Sequence, residues 1–334
     1  MSSNGSAKEA NQPNPRMDKQ ADADGQFRRQ ASQFRNHISP SPDASFPAVA
    51  GRYVLYIQRG CPWAHRTNIV RSLKGLESII ELSVLGGMDP GLGWVYDGSP
   101  GSDEKDPIYG FKYLRELYFK AKPGYTGRFL VPTLWDKQKE TVVSNESSEI
   151  IRMFYSVFDE LLPAEKREVN RPGGGLFPEG LREEIEKMNG WVYDKVNNGV
   201  YKTGFASTQE AYEEHVYPLF EALEKLEDHL EKKGTKYLMG DHITEADIRL
   251  YPTIVRFDPA YATVFGCNLK TIRNDFPKLH DWLRRLYWDE SERTNGGAFK
   301  STTDFDTFKK GYAKAKRMDW VPVGPVPPIL PLEA

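Results

Sequence analysis

The chain has 334 residues, with 45 Lys and Arg against 47 Asp and Glu, a formal net charge of −2, and 39% hydrophobic residues. That balance speaks against a nucleic-acid partner or an anionic membrane surface. Two cysteines, Cys61 and Cys267, are too few for a disulfide framework and point to a reducing compartment.

The N-terminal segment has no apolar core of a secretory signal. It carries Glu9, Asp18, Asp22 and Asp24, unlike an organelle transit peptide. No run approaches the ~18 apolar residues of a membrane span, so a cytoplasmic location is expected. Residues 1–48 are polar, aperiodic and dotted with prolines. They are expected to form a mostly disordered tail, with order setting in from Phe27. YVLYI at 53–57 is β-branched and aromatic and predicts a buried strand. A turn at Arg59-Gly60 follows. From Pro62, the apolar residues Trp63, Ile69, Val70, Leu73 and Leu76 predict a helix that Gly75 loosens. IIELSVL at 79–85 predicts a second strand, parallel to the first.

Residues 86–126 are rich in Gly and Pro, with one helical patch around 113–119, and are expected to be an insertion. FLVPTLWD at 129–136 and TVVS at 141–144 predict a hairpin, and NESSEIIRMF a helix start. The order β–α–β, insertion, β–β–α is the thioredoxin-like arrangement.

The second half reads as helical. Leu181, Ile185, Met188, Val192 and Val196 share a face. STQE at 207–210 predicts a capping box, followed by Tyr212, Val216, Leu219, Phe220, Leu223, Leu226 and Leu230 at helical spacing. TEAD at 244–247 opens another helix, which Pro252 is expected to kink. PKLHDWLRRLY at 277–287 is a further helix, and VPVGPVPPILP at 321–331 has polyproline character. The expected domains are a tail (1–48), a thioredoxin-like domain (49–160, insertion about 86–126), an all-α domain (161–316) and a Pro-rich extension (317–334).

Cys61 falls between the first strand and its helix. Backbone N–H groups and the helix dipole at that end favour thiolate over thiol. Pro62 suits the first helical position, because its missing N–H would have no helical partner there. The fourth position is Ala64, so a trapped mixed disulfide has no internal resolving thiol. A second thiol has to come from outside, and a small-molecule thiol is the natural candidate. Cys267 lacks this setting and reads as structural.

Val131-Pro132 stands where thioredoxin-like folds carry a cis peptide facing the active cysteine. The Val131 backbone could there pair with a peptide-like ligand. Asn145-Glu146-Ser147 open a helix whose N–H groups and Ser147 hydroxyl suit a carboxylate, while Glu146 suits an ammonium. A γ-glutamyl group carries both charges, so the three features together describe a glutathione site.

The stretches CPWAHRTNIVRSLKGLE, GRFLVPTLWD, VVSNESSEIIRMF, NNGVYKTGFASTQEAYEEHVYPLFEALEKLE, TEADIRLYPTIVRFD and PVGP resemble the glutathionyl-hydroquinone reductases, the Xi class of glutathione transferases, over roughly residues 50–325. The resemblance implies a glutathione transferase fold, with Cys61 as nucleophile and glutathione as co-substrate without a metal. It implies that Trp94, Arg128, Val131, Pro132, Glu146 and Ser147 hold glutathione and that Tyr201 lines the aromatic pocket. A second pocket tyrosine is expected at Tyr287, in preference to Tyr261.

A glutathionylated aromatic substrate and a homodimer belong to the same expectation, with no nucleic acid and no membrane as partners. The sequence departs from the family at Val264 and Gly266, where members carry His and Lys, and over 311–320. These departures bear on the aromatic pocket and on dimer packing. An omega-like thioltransferase or dehydroascorbate reductase, and a non-enzymatic glutathione- or aromatic-binding protein, are the other readings.

Overall fold

β1 (Tyr53–Gln58) is buried at every position, as an unbroken β-branched and aromatic run requires of a central strand. The structure, a computed structural model, describes residues 20–332. α1 (Pro62–Leu73) follows, then β2 (Ile80–Leu85), parallel to β1 from the Tyr53–Ile80 pair to the Gln58–Leu85 pair. Within the insertion, β3 (Met88–Asp89) pairs with β4 (Gly93–Trp94), and α2 (Leu114–Ala121) covers the patch predicted as helical. β5 (Thr133–Asp136) and β6 (Thr141–Ser144) form the hairpin, and α3 (Ser147–Ser156) follows. The sheet order is β2-β1-β5-β6.

The hairpin's first strand begins four residues later than the apolar run that predicted it. Pro132 has no N–H to give a ladder, and the Val131-Pro132 bond is cis, so 129–132 form a loop. Arg52 and Asp136 tie β1 to β5: Arg52 Nε reaches both carboxylate oxygens at 3.0 Å, and both side chains are buried.

The chain divides into two compact units, one of Gln20 and Arg29–Pro163, the other of Ala21–Arg28 and 164–332. In the first unit, residues 34–36 run along β6. Asn36 N–H donates to Val143 O at 2.9 Å, and Asn145 N–H to Phe34 O at 3.1 Å. Phe27, Ile38 and Phe46, all inside the stretch expected as tail, are buried. The rest of that expectation, 1–19, lies outside the described residues.

The second unit is helical. α4 (Arg182–Val192) continues through a π turn at Tyr193–Asn197 into α5 (Gly199–Phe205). α6 (Gln209–Lys233) buries Val216, Leu219, Phe220, Leu223, Leu226 and Leu230 along one face. Its cap is Thr208, whose hydroxyl accepts from Ala211 N–H at 3.2 Å, rather than Ser207, whose N–H is engaged by Gly25 O. α7 (Glu245–Ile254) has the capping box on Thr244 and Asp247 and runs through Pro252 before stopping.

Towards the C-terminus come α8 (Pro277–Trp288) and α9 (Phe305–Ala315). The Pro-rich end is not a regular polyproline helix, since Gly324-Pro325 and Val326-Pro327 are cis. Its carbonyls are taken by side-chain donors: Trp288 Nε1 to Leu330 O, Arg284 to Pro331 O, and Lys309 to Val323 O. Among the described residues no helix is long and apolar enough to cross a membrane.

Candidate active site

Cys61 is the N-cap of α1, with extended backbone angles (φ −76°, ψ 118°) and Pro62 directly behind it. Its N–H donates to Gln58 O at 3.0 Å, and its carbonyl accepts from His65 N–H, which opens the helical ladder. The half-buried sulfur therefore sits where the helix presents its positive end. Two residues on, the Trp63 indole ring has two guanidinium groups packed against it, Arg29 at 4.6 Å and Arg66 at 4.5 Å from its ring centre.

Facing the sulfur is the cis bond: Cys61 Sγ lies 3.5 Å from Val131 O. The loop that presents Val131 is fixed by Tyr118 on α2. This fully buried phenol donates to Leu130 O at 2.8 Å, meets Thr133 Oγ1 at 3.0 Å, and accepts from Leu130 N–H and from Asn145 Nδ2. One hydroxyl thus fixes both the cis-proline loop and the residue that leads into α3.

α3 starts at Glu146-Ser147. Glu146 is the N-cap; its carboxylate accepts Ser148 N–H at 3.2 Å, Ser148 Oγ at 2.8 Å and Ser32 Oγ at 3.1 Å. Burial, the largest single effect on Glu146, works to raise its pKa. The Ser148 and Ser32 hydrogen bonds and the field of Arg66 outweigh it and hold the carboxyl below the usual 4.5. Glu146 is thus an anion at neutral pH, able to receive an ammonium. Its stabilising contribution is complete above pH 4.5 and is lost as pH falls through the lowered folded value. The stability gap between wild type and Glu146→Gln, read from urea midpoints, is expected to be constant above about pH 5 and to close on acidification. A gap that widens in acid would reverse the sign of the argument. Ser147 is buried, with its hydroxyl in the first turn.

Trp94 is half-exposed on β4, and Arg128 half-buried, its carbonyl accepting from the Tyr125 hydroxyl at 3.2 Å. The helical unit holds a separate constellation. Tyr201 on α5, Tyr312 on α9 and Tyr261 in a π turn form a chain of hydroxyls, Tyr201 to Tyr312 at 2.7 Å and Tyr312 to Tyr261 at 2.8 Å. Burial, above all, pushes Tyr261 and Tyr312 well above the ordinary phenol range, so both stay protonated donors.

Residues 60–157 match the family model for the glutathione S-transferase N-terminal domain, and 209–285 that for its C-terminal domain. The glutathione-S-transferase Xi from Phanerochaete chrysosporium superposes with a TM-score of 0.86 at 50% identity, covering 94% of this chain and 97% of that one. The chain belongs to the Xi class of glutathione transferases, the glutathionyl-hydroquinone reductase family. The glutathionyl-hydroquinone reductase YqjG of Escherichia coli is 43% identical over 299 residues, 88% of this chain and 86% of that protein. The Xi transferase ECM4 of Saccharomyces cerevisiae, solved in complex with glutathione, matches with a TM-score of 0.82 at 39% identity, covering 91% of this chain and 100% of that one.

Within this Xi-class fold the structure joins Cys61 to Val131 and brings Glu146 and Ser147 to the start of one helix. It does not join Tyr287 to Tyr201. Tyr287 packs on Trp288 and Phe305, whereas Tyr261, the alternative set aside in the sequence, shares the hydroxyl chain. Tyr312 escaped sequence reasoning although it lies in the divergent 311–320 stretch. The helical spacing of Phe305, Phe308 and Tyr312 was the available signal. Ser32 and Tyr118 also escaped, since nothing local marks their partners. The departures at Val264 and Gly266 flank Phe265, whose ring packs on Tyr201, Tyr261 and Tyr312. Gly266 has φ +71° and gives its carbonyl to the Tyr212 hydroxyl at 2.7 Å, so a lysine there would be strained.

Proposed function

We propose that this transferase is a glutathione-dependent reductase that removes glutathione from S-glutathionyl-hydroquinones through a Cys61–glutathione mixed disulfide. The observation that carries the reading is a cysteine alone at the N-terminus of α1, with Ala64 in the fourth position and Val131 O beside the sulfur. The relatives named as reductases and the glutathione complex of a related structure support it.

Cys61 thiolate attacks the glutathione sulfur of the substrate. A sulfur–sulfur bond forms, the bond between sulfur and the ring carbon breaks, and that carbon takes a proton. The two sulfurs are oxidised together by two electrons, and the ring carbon is reduced. A second glutathione, as thiolate, then attacks the mixed disulfide on its glutathione sulfur. It releases oxidised glutathione and returns Cys61 to thiolate. Glutathione is held by Glu146 through its ammonium, by Ser147 and the α3 N–H groups through its carboxylate, and by the Val131 backbone, with Trp94 and Arg128 as further contacts. Tyr201 serves the aromatic part, and the protonated Tyr261 and Tyr312 maintain its hydroxyl as part of a donor chain. A cytoplasmic homodimer belongs to the same proposal and is read by light scattering and fractionation.

The test is intact-mass spectrometry after incubation with oxidised glutathione. One glutathione on Cys61, removed by free glutathione, is expected. An unmodified chain would defeat the mechanism. Turnover of small mixed disulfides with glutathionyl-hydroquinones untouched would instead assign a thioltransferase.

Glu146→Ala is expected to weaken glutathione binding by about 1.5–3 kcal/mol, the worth of a hydrogen bond to a charged group. Calorimetry showing unchanged affinity would reduce Glu146 to a helix cap.

A further inference from the structure

Of the three hydroxyl-linked phenols, Tyr261 and Tyr312 are buried, and only Tyr201 keeps partial exposure. Over the Tyr201 ring lies Phe27, from the short N-terminal segment that belongs to the helical unit. Its ring stacks on Tyr201 with centroids 6.1 Å apart and planes 29° apart, and leans on Phe205 at 5.5 Å. Phe27 is itself 4% exposed. Phe27 also lines an open polar cavity of about 510 Å³, together with Asp24, Gln26, Arg28, Lys202, Glu214 and His215. Phe27 therefore takes part both in an aromatic cluster and in the lining of an open polar space.

The Phe27 segment is held from several directions. Gln26 Nε2 donates to Glu214 at 2.7 Å, and the Gln26 side-chain oxygen meets His215 Nε2 at 2.5 Å. Ser207 N–H donates to Gly25 O at 3.2 Å. Arg28 closes the loop on Asp22 and Asp24. Gly25 has φ +81° and lies so close to α6 that a Cβ would come within 2.8 Å of Thr208 Cγ2. A segment fixed by bonds on both sides of Phe27 presents a rigid ring, and rigid apolar walls are what make a pocket discriminate by size.

We infer that Phe27 is a specificity-determining residue that limits the size of the aromatic group received at Tyr201, favouring one-ring hydroquinones over fused two-ring ones. The inference rests on the aromatic role proposed above for Tyr201. Truncating Phe27 uncovers a face of Tyr201 next to the cavity that Phe27 lines, which gives a second ring somewhere to go.

The experiment measures two ratios on the full chain, wild type against Phe27→Ala, Phe27→Leu and Gly25→Ala. One is the ratio of affinities for free 1,4-naphthohydroquinone and free benzene-1,4-diol, by calorimetry under reducing conditions. The other is the ratio of kcat/KM for their S-glutathionyl adducts. Phe27→Ala is expected to move both ratios about tenfold towards two rings, the scale at which pocket size discriminates. Phe27→Leu should move them less. Gly25→Ala, which displaces the segment and keeps Phe27, should move them in the same direction, and glutathione affinity should stay unchanged in all three.

If both ratios stay within about twofold of wild type in the Ala and Leu variants, with melting curves showing folded protein, Phe27 is packing only and the inference falls. A shifted affinity ratio in a protein that never turns over the adducts sinks the proposed reaction but leaves the Phe27 role standing. A wild type that binds neither hydroquinone overturns both.

Discussion

Cys61→Ser is expected to lose glutathionyl-hydroquinone reduction by roughly 10³-fold or more, the scale seen when a covalent nucleophile is removed, while glutathione still binds. The sulfur is the proposed covalent centre, and Ala64 gives α1 no second thiol to take over. The glutathione contacts proposed at Val131, Glu146 and Ser147 do not involve it. The same substitution is expected to raise a different activity.

In the proposed site a Cys61 thiolate beside a glutathione thiolate would be a like-charge pair, so the wild type is expected to activate glutathione poorly as a nucleophile. A serine hydroxyl at the same N-cap can donate to that thiolate and leave it free to attack an electrophile. Conjugation of chlorodinitrobenzene is therefore expected to be negligible in the wild type and measurable in the variant, with quinol release showing the opposite pattern. Four assays, two reactions on two proteins, decide it. Strong conjugation by the wild type with no quinol release would overturn the reductive reading.

Asp247→Ala is expected to destabilise the protein by about 3–5 kcal/mol, the largest effect foreseen away from the active site. The carboxylate is completely buried and serves four donors. Leu238 N–H at 3.0 Å and Trp282 Nε1 at 2.9 Å meet one oxygen; Thr244 N–H at 2.9 Å and Thr244 Oγ1 at 3.0 Å meet the other. Alanine removes the capping box, worth about 1 kcal/mol, and leaves the Leu238 and Trp282 donors buried without an acceptor, at about 1–3 kcal/mol each. Trp282→Phe deletes a donor rather than stranding one and should cost clearly less. Urea unfolding followed by circular dichroism measures both. An Asp247→Ala loss under about 1 kcal/mol would mean that water reaches these groups.

Asp247 also shows what a sequence displays well. Thr244 and Asp247 are three residues apart, and the box they form depends on nothing beyond one helix turn. Cys61 was legible for the same reason: a strand, a turn and Pro62 specify its place at the start of α1. β1 followed from an unbroken apolar run, β2 from an apolar-rich one and the α6 core face from helical periodicity, and these patterns encode burial directly. Elsewhere the informative partner is far along the chain. Residues 34–36 have no strand-like pattern and gain their pairing from β6, more than 100 residues on. Ser32 is an ordinary serine until Glu146 is beside it, and Tyr118 is one aromatic among several in a Gly- and Pro-rich stretch until the Leu130 and Asn145 groups converge on it. Tyr287 was preferred to Tyr261 as the pocket tyrosine, but the choice turns on which segment faces Tyr201, and spacing within either segment says nothing about that.

The pairing of residues 34–36 with β6 sets how short this protein can be made. The family match begins at residue 60, inside the turn after β1. A polypeptide trimmed to that boundary would lose the central strand. One trimmed more cautiously, to residue 49, would keep every strand of the sheet but strip the outer side of β6. Its unpaired N–H and C=O groups would then offer a template to the same edge of another molecule. Such a protein would be prone to stick to itself, and would lack Ser32 and Phe27 as well. Affinity tags and fusions are better attached ahead of residue 20, with the stretch from Ala21 to Asn36 left whole.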